Sequence, residues 1–298
     1  MSTLNINLFD FARRIHRPLI LDGAMGSLLQ QRGVKEDDWL WTSIAGIEHG
    51  EAVQSIHKEY IEAGADIITT NTFRSNPAAV KNSSRTGITS DYLVKTNVEL
   101  AKSARGGLPV IIAGSNAPAE DCYQVNRTLQ LRDLEENHEQ HIDSLMLNGC
   151  DFVLNETQSH FDEISIICNY CSKNDIPFIV SIFFTGDLKL LSGENIEDVI
   201  RFLQDYNPLA IGFNCIRPDV FVNFIKNHNP DYSWGTYLNC GSGNYTDKII
   251  TCGISGQEYA RIVSGLLQFN PCFVGACCGS NNNHIEKIRE TVNGLSRD

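Results

Sequence analysis

Short runs of apolar and β-branched residues recur along the 298-residue chain, separated by stretches in which apolar side chains return every three to four positions. The apolar runs predict eight β-strands, since strands buried on both faces lack polar alternation. These strands cover residues 18–23, 66–73, 109–115, 151–157, 177–184, 209–215, 233–240 and 272–278. The intervening stretches predict amphipathic helices over residues 51–64, 91–104, 133–149, 160–173, 194–206, 219–229 and 256–269.

Eight strands, most of them followed by a helix, favour a closed α/β barrel. Strands that are apolar throughout suit a parallel sheet covered by helices. Eight such units in 298 residues fit a (β/α)8 TIM-type barrel better than an open doubly wound sheet. No low-complexity linker divides the sequence, so residues 1–298 are interpreted as a single domain. Residues 24–50 carry Trp39 and Trp41 and are predicted to form a lid over one rim.

Composition and charge mainly exclude certain partners and certain classes of protein. The net charge is −12 and no stripe is rich in Lys or Arg, which argues against nucleic acid or an anionic membrane as a partner. No apolar segment is long enough to span a membrane, and the N-terminus does not resemble a signal peptide. Ten unevenly spaced cysteines do not form a secreted disulfide scaffold. We therefore expect a cytoplasmic protein with reduced thiols; its oligomeric state is not predicted.

Chemically active side chains cluster where the predicted strands end. In a parallel barrel the active site lies at the carboxyl ends of the strands. The strands are apolar, yet their last residues are polar or carry thiols: Asp22, Thr70, Asn71, Ser115, Glu156, Cys215, Asn239, Cys240, Cys277 and Cys278. This contrast predicts a functional site at that rim.

Cys215, Cys277 and Cys278 end the sixth and eighth strands, so their thiolates can converge on one metal ion. Three thiolates suit Zn²⁺ and leave a fourth position open, as in catalytic zinc sites. None of the eight histidines ends a strand, which favours an all-sulfur site. Adjacent strand residues face opposite sides, so Cys277 and Cys278 reach one ion only if the strand breaks, as Gly275 and Gly279 permit. Buried structural cysteines and a vicinal disulfide are the alternatives.

Asp22 and Glu156 place two carboxylates at the same predicted mouth. They could form a general acid–base pair, or hold a substrate ammonium group by charge-assisted hydrogen bonds. Asp22 could also be a turn or helix-capping residue. The GAMG segment after Asp22 could bind a carboxylate through backbone N–H groups, but it matches neither the dinucleotide fingerprint nor a P-loop.

Most remaining cysteines are interpreted as structural. Cys168 and Cys171 form a C-x-x-C on a predicted helix with apolar neighbours, whereas redox pairs usually open a helix. The same structural interpretation applies to Cys122, Cys150, Cys252 and Cys272. Cys240 lies close to the predicted site.

Several segments, in order along the chain, carry a likeness to a known family: LILDGAMGSLLQQRG, DDWLWTS, HKEYIEAGADIITTNTF, LLSGE, GFNC and GACCG. Together they resemble the homocysteine S-methyltransferases, zinc-dependent thiol methyltransferases built on (β/α)8 barrels. The likeness runs from about Pro18 to Glu290. Its specific part is the spaced cysteine followed by the Cys-Cys pair.

The resemblance implies a role for each residue of the site. Cys215, Cys277 and Cys278 would bind zinc and act in catalysis by activating the substrate thiol. Asp22 and Glu156 would hold the ammonium group of homocysteine. The predicted set of substrate-binding residues is completed by Gly23, Ala24, Thr70 and Asn239.

The implied reaction is methyl transfer from a small-molecule donor to the thiolate of L-homocysteine, giving methionine. S-methylmethionine is the expected donor, ahead of S-adenosylmethionine, because DDWLWTS resembles the S-methylmethionine-dependent branch. The chain departs from the family pattern at residues 116–121 and 237–239, at the mouth where a donor would enter. The alternatives are methylation of another thiol or selenol, and a non-catalytic barrel that binds zinc or an amino acid.

Overall fold

Eight parallel strands form the centre of the computed structural model, which describes residues 17–244, 247 and 249–294. They are β1 (Leu19–Ile20), β2 (Ile67–Thr69), β3 (Ile111–Asn116), β4 (Phe152–Gln158), β5 (Phe178–Ile182), β6 (Ala210–Asn214), β7 (Trp234–Leu238) and β8 (Phe273–Ala276). Each predicted strand is present. Most end before the apolar run that predicted them, because the inter-strand hydrogen bonds stop where the connecting loops diverge.

The sheet closes on itself. Its strands pair in the order β1-β8-β7-β6-β5-β4-β3-β2, and each of these pairs is parallel. Leu21 forms a parallel bridge to Ile67, whose oxygen accepts the Asp22 N–H at 2.9 Å. The first strand therefore bonds to both the eighth and the second. This confirms the predicted (β/α)8 barrel over an open sheet.

Helices surround the barrel: α1 (Gly26–Gln31), α2 (Ala45–Glu48), α3 (Gly50–Ala63), α4 (Pro77–Asn82), α5 (Ser90–Arg105), α6 (Leu131–Leu147), α7 (Phe161–Lys173), α8 (Ile196–Asp205), α9 (Pro218–His228), α10 (Gly256–Leu266) and α11 (Asn282–Gly294). Successive strand residues face opposite sides. On β4, Phe152 and Leu154 pack in one apolar cluster with Phe273, inside the barrel. Val153, between them, packs in the larger cluster that contains the apolar faces of the helices.

Residues 24–50, predicted as a lid, contain more structure than a loop. They include α1, α2 and a narrow turn in which Asp37 and Trp41 exchange two backbone hydrogen bonds of 3.0 Å. The carboxylate of Asp37 accepts the N–H groups of Trp39 and Leu40 at 3.0 Å each, which holds the turn together. Trp39 lies at the tip and is 53% exposed. The two short helices were missed because neither spans enough turns to produce a periodic pattern.

The structural interpretation holds for most of the cysteines outside the site. Cys150, Cys168, Cys171 and Cys272 are buried in the apolar clusters. Cys252 differs in being exposed, in the loop after β7, where its thiol donates to Ile254 O at 3.2 Å. Among the described residues, no helix is both long and apolar enough to cross a membrane.

Candidate active site

The carboxyl ends of the strands and the loops that follow them enclose a cavity of about 790 Å³. Among the predicted site residues, the following line it: Asp22, Gly23, Ala24, Thr70, Glu156, Cys215, Cys277 and Cys278. Asn239 is not among the described residues that line this cavity. The structure thus brings most of the predicted residues to one place, while their roles stay predictions.

The three cysteine sulfurs form a tight cluster. The Sγ atoms of Cys215 and Cys278 are 3.7 Å apart, and those of Cys277 and Cys278 are 3.9 Å apart. All three lie within 4.8 Å of one another. Zinc–sulfur bonds of about 2.3 Å in a tetrahedron place sulfurs roughly 3.8 Å apart. The donor set therefore fits a Zn²⁺ ion, and the cysteines are free thiols rather than a vicinal disulfide.

A break in β8 lets the adjacent cysteines reach the same point. Cys277 still continues the sheet, since its N–H donates to Leu238 O at 2.9 Å. The chain then turns at Gly279, which has φ +83° and lies so close to Gly241 that a Cβ would be 2.5 Å from its Cα. Gly279 therefore serves as predicted. Gly275 does not form the bend, because it lies inside β8, where a Cβ would be 2.8 Å from Leu21 Cβ.

The close packing of the three thiols favours the deprotonation of one of them but opposes the deprotonation of all three. Contact with the thiol of Cys277, and to a lesser degree with that of Cys278, lowers the pKa of Cys215 well below its ordinary value. The same contact with Cys215 raises the pKa of Cys277 and of Cys278. Coupled groups of this kind lose further protons at increasing cost. Full deprotonation of the cluster therefore calls for a bound cation.

Asp22 lies directly beyond β1 and is held by β2. Its Oδ2 accepts the Thr69 N–H at 2.8 Å, and its Oδ1 accepts the Thr69 hydroxyl at 2.9 Å. Burial raises the pKa of Asp22 well above its usual value despite these bonds, and the charge of Glu156 raises it further. The helix-capping alternative is wrong, because the following helix begins after Met25 without a side-chain cap.

Glu156 faces the cavity from β4, and its Oε1 accepts a hydrogen bond from the Ser115 hydroxyl. Burial raises the pKa of Glu156 to about 7. Burial therefore makes Glu156 and Asp22 both costly to ionise, and a bound cation would stabilise the charged form of each. This environment suits an ammonium group. A carboxyl that titrates near neutrality also suits proton transfer, so the acid–base alternative stays open.

The backbone after Asp22 is packed closely against its neighbours. A Cβ at Gly23 would lie 2.7 Å from the Tyr60 ring, so a larger residue does not fit there. The Ala24 N–H donates to Ser280 Oγ at 2.9 Å, and its oxygen accepts the Tyr60 hydroxyl at 2.8 Å. The Ala24 N–H is therefore already occupied. Within the described residues the Gly23 N–H makes no hydrogen bond and is the better candidate for holding a substrate carboxylate.

Thr70 and Asn239 differ in their surroundings. The Thr70 hydroxyl lies in the cavity wall, accepts the Ser115 N–H at 3.1 Å and lies 2.7 Å from Thr72 Oγ1. The side-chain oxygen of Asn239 instead accepts the Gly241 N–H at 2.7 Å. Asn239 thus stabilises a turn, and no contact supports its predicted role in substrate binding.

Cys122, Tyr123 and Tyr237 are among the residues of the cavity wall that were not predicted as site residues. Cys122, interpreted as structural, is buried but lines the cavity, as does Tyr123. Tyr237 lines it from β7, and its buried hydroxyl lies beside Ser181 and Glu156 with no hydrogen bond among the described residues. Nothing in the sequence distinguishes such side chains from ordinary core residues.

Residues 117–129, which form part of the cavity wall, are held from behind by Glu163 on α7. Its Oε2 accepts the Ala119 N–H at 2.7 Å and lies 2.6 Å from His138 Nε2, while Arg127 donates to Oε1. Burial alone would raise the pKa of Glu163. The bond from His138 and the charge of Arg127 outweigh burial and lower this pKa to about 2.

Glu163→Gln is expected to lower the free energy of unfolding at pH 7 by about 3 kcal/mol, because the shift from 4.5 to about 2 stabilises the folded state. Because the pKa of Glu163 is lower in the folded state, its carboxylate stabilises the protein above about pH 5, and this contribution is lost as the pH falls toward 2. The difference from the unsubstituted protein should therefore shrink at pH 3, as measured by urea unfolding. Glu139→Gln, on the exposed face of α6, is the control. A difference independent of pH would contradict the prediction.

Comparison with known proteins identifies the relatives of this chain. Residues 19–292 match the family described as homocysteine S-methyltransferase. The chain is 25% identical over 291 residues to homocysteine S-methyltransferase of Escherichia coli (strain K12), with 91% of this chain and 94% of that protein covered. It is 20% identical over 317 residues to homocysteine S-methyltransferase 2 of Arabidopsis thaliana, with 95% of each covered.

Solved structures share the barrel. The metallated form of the homocysteine methyltransferase MmuM from Escherichia coli superposes with a TM-score of 0.76 at 22% identity, covering 94% of this chain and 99% of that one. Its oxidized form superposes with a TM-score of 0.75 at 23% identity, covering 92% and 95%. At these identities the likeness establishes the fold. The family match, in contrast, spans nearly all of the described chain, so this protein is an enzyme of the homocysteine S-methyltransferase family.

Proposed function

We propose that this methyltransferase uses Zn²⁺ and takes its methyl group from a small sulfonium, S-methylmethionine in preference to S-adenosylmethionine. Methyl transfer to homocysteine is the activity of its family. The observation that carries the proposal is the joining, in one cavity, of three thiols at tetrahedral zinc spacing with the buried carboxyl of Asp22 and the partly buried carboxyl of Glu156.

Cys215, Cys277 and Cys278 would hold the ion. When bound there, Zn²⁺ supplies an open coordination position and lowers the pKa of a substrate thiol. An all-thiolate site needs reduced cysteines, and the ten cysteines of the chain are free. This supports a cytoplasmic location. The metallated form of the Escherichia coli relative also favours a metal at this site.

Asp22 and Glu156 would bind the ammonium group of homocysteine. An ammonium placed between them relieves the cost of ionising both carboxyls, and it directs the substrate sulfur along the cavity toward the cysteine cluster. Neither carboxylate needs to leave its present partner, since each has a second oxygen or a free lone pair to offer. These residues thus bind and orient the acceptor.

The donor would enter from the outer part of the cavity, where the wall is aromatic and acidic. Trp41 contacts Phe73 edge-on with ring centroids 5.9 Å apart, and Glu36 and Asp38 lie beside the Trp39 turn. Aromatic faces and carboxylates both attract a sulfonium. The homocysteine sulfur bonds to the methyl carbon while the carbon–sulfonium bond breaks, and the bonding electrons stay on the leaving sulfur. Opposite charges are neutralised in this step, so a cavity that excludes water favours it.

A donor competition tests the proposal. The zinc-loaded enzyme receives homocysteine with equal concentrations of S-methylmethionine, S-adenosylmethionine, betaine and methyltetrahydrofolate, and methionine is measured for each donor. We expect S-methylmethionine to outpace every other donor by at least about tenfold, which corresponds to a modest misfit of the others in the transition state. Faster transfer from betaine would overturn the ranking. No methionine from any donor would favour another thiol or selenol substrate, or a non-catalytic barrel.

A further inference from the structure

The charged residues around the cavity are nearly all acidic. Eight aspartates and glutamates line it within the described part of the chain: Asp22, Glu36, Asp37, Asp38, Glu120, Asp121, Glu156 and Asp247. Among the same described lining residues, Arg74 alone carries a positive charge. An acidic wall suits a cationic ligand. Arg74 is the one described lining residue whose charge could attract a negatively charged group of a ligand.

Arg74 follows β2 and is positioned by backbone contacts. Its N–H donates to Ser43 Oγ at 3.0 Å, and its guanidinium lies 5.8 Å from the centre of the Phe73 ring. Nη1 donates to the backbone oxygen of Glu120. Each of these contacts orients the side chain without neutralising its charge.

The nearest carboxylate leaves the guanidinium largely unpaired. Asp121 Oδ2 lies 3.8 Å from Arg74 Nη2, but the Asp121 side chain is 62% exposed whereas that of Arg74 is only 15% exposed. Such a long, solvent-facing pair contributes little. Nε and Nη2 of Arg74 make no hydrogen bond within the described residues. An arginine has five N–H donors in a planar fork, so an edge of this fork is available to a ligand.

A carboxylate is the group that this fork matches best, because two parallel N–H···O bonds can form. Two amino acids would occupy the cavity during methyl transfer, and each carries an α-carboxylate. Homocysteine would be held near the strand ends by Asp22 and Glu156, where the Gly23 N–H can serve its carboxylate. Arg74 lines the same cavity as Trp41 and Phe73, where the proposed donor would enter.

We propose that Arg74 binds the α-carboxylate of the methyl donor and thereby selects amino-acid sulfoniums over sulfoniums that lack a carboxylate. The inference rests on the proposed function, since it assumes a sulfonium donor. The acidic rim would attract the sulfonium and ammonium charges, and Arg74 would fix the third charged group. Arg74 is thus a specificity-determining residue that acts on binding rather than on the transferred methyl group.

The test compares two donors, S-methylmethionine and its carboxamide, in which a neutral amide replaces the carboxylate, with Arg74→Ala, Arg74→Lys and the control Arg217→Ala. Arg217 is an exposed arginine that follows β6 and does not line the cavity among the described residues. Arg74→Ala is expected to lower kcat/KM for S-methylmethionine by about tenfold to a hundredfold, mainly through KM, since charge-assisted bonds to the carboxylate are lost. Transfer from the carboxamide should hardly change. Arg74→Lys should lie between, and Arg217→Ala should match the unsubstituted enzyme.

Calorimetric titrations separate the two possible sources of the carboxylate. S-methylmethionine should bind Arg74→Ala more weakly by a similar factor, whereas homocysteine should bind it normally. Weakened homocysteine binding with normal donor binding would overturn the proposal, as would equal losses for the two donors. If the unsubstituted enzyme forms no methionine from S-methylmethionine, the proposed donor is wrong. The titration of S-methylmethionine still tests Arg74 in that case. Equal binding to the unsubstituted enzyme and to Arg74→Ala, or no binding to either, would overturn the proposed role of Arg74.

Discussion

Cys215→Ser is expected to reduce bound zinc from about one ion per chain to a small fraction and to lower methionine formation by roughly a thousandfold or more. A hydroxyl is a far weaker zinc ligand than a thiolate. The two remaining sulfurs, 3.9 Å apart, leave the ion with half of a tetrahedron. Elemental analysis after dialysis against a mild chelator measures the first effect, and product analysis with homocysteine and S-methylmethionine measures the second. Cys277→Ser and Cys278→Ser should behave alike.

Cys240→Ala is the matched control for this set. Cys240 is fully buried beside the cluster, and its N–H donates to Cys278 O at 2.8 Å, a contact that alanine preserves. Its thiol bonds weakly to Leu238 O at 3.6 Å and is not part of the cluster. The control should keep its zinc and most of its activity. Full zinc retention in each of the three serine variants would refute the metal site.

Asp22→Asn and Glu156→Gln are expected to keep zinc but to weaken homocysteine binding by about thirtyfold to several thousandfold. Each substitution removes one charge from a buried ammonium site while preserving its shape, a loss that typically costs about 2–5 kcal/mol. Burial raises the pKa of both carboxyls, so their charges do not stabilise the fold and removing them should not lower the free energy of unfolding. Calorimetry with homocysteine, metal analysis and thermal unfolding therefore separate a binding defect from a folding defect.

The same variants decide between ammonium binding and acid–base chemistry. If Glu156 transferred a proton, Glu156→Gln would lower kcat and leave the homocysteine Kd nearly unchanged. If Glu156 binds the ammonium group, Glu156→Gln should instead raise the homocysteine Kd more than it lowers kcat. Ser115→Ala is a graded control, because it removes a hydrogen bond to Glu156 but leaves the charge in place. Unchanged homocysteine affinity in both Asp22→Asn and Glu156→Gln would rule out ammonium binding by these two residues.

The fold class could be predicted from the sequence because each strand of a parallel barrel is covered on both faces. Every residue of β5 is buried, for example, so the strand is recognisable as an apolar run in which Ser181 is the one polar residue. The same apolar pattern locates the ends of the strands poorly. Apolar residues continue past the last ladder hydrogen bond, which the Phe183 N–H donates to Gln158 O, since Phe184 beyond it is also buried. Burial and hydrogen bonding end at different residues, and the apolar pattern reports only burial.

The thiols and carboxylates were also predictable, because a polar group at the end of an apolar strand is costly unless it faces a site. This signal indicates position along a strand but not the direction of a side chain beyond it. Asn239 carries the same signal, yet its side chain bonds to Gly241. Gly275 was expected to bend β8, but it packs against Leu21 inside the strand. Close packing and chain reversal both select glycine, so the sequence does not separate them.

The sequence by itself determined the eight strands, the seven long helices between residues 51 and 269 and the residues that reach the rim; the helix after β8 was not predicted. The tertiary structure decided which of these residues meet. The pairing of β7 with both β6 and β8 brings Cys215 Sγ within 3.7 Å of Cys278 Sγ, although 63 positions separate the two residues along the chain. The loops beyond the strands carry no periodic pattern, and they are positioned by distant contacts such as the Gly279 N–H to Ser27 Oγ, at 2.9 Å. Arg74 enters the cavity wall through such loop packing, which depends on parts of the chain remote in sequence and so leaves no local signal.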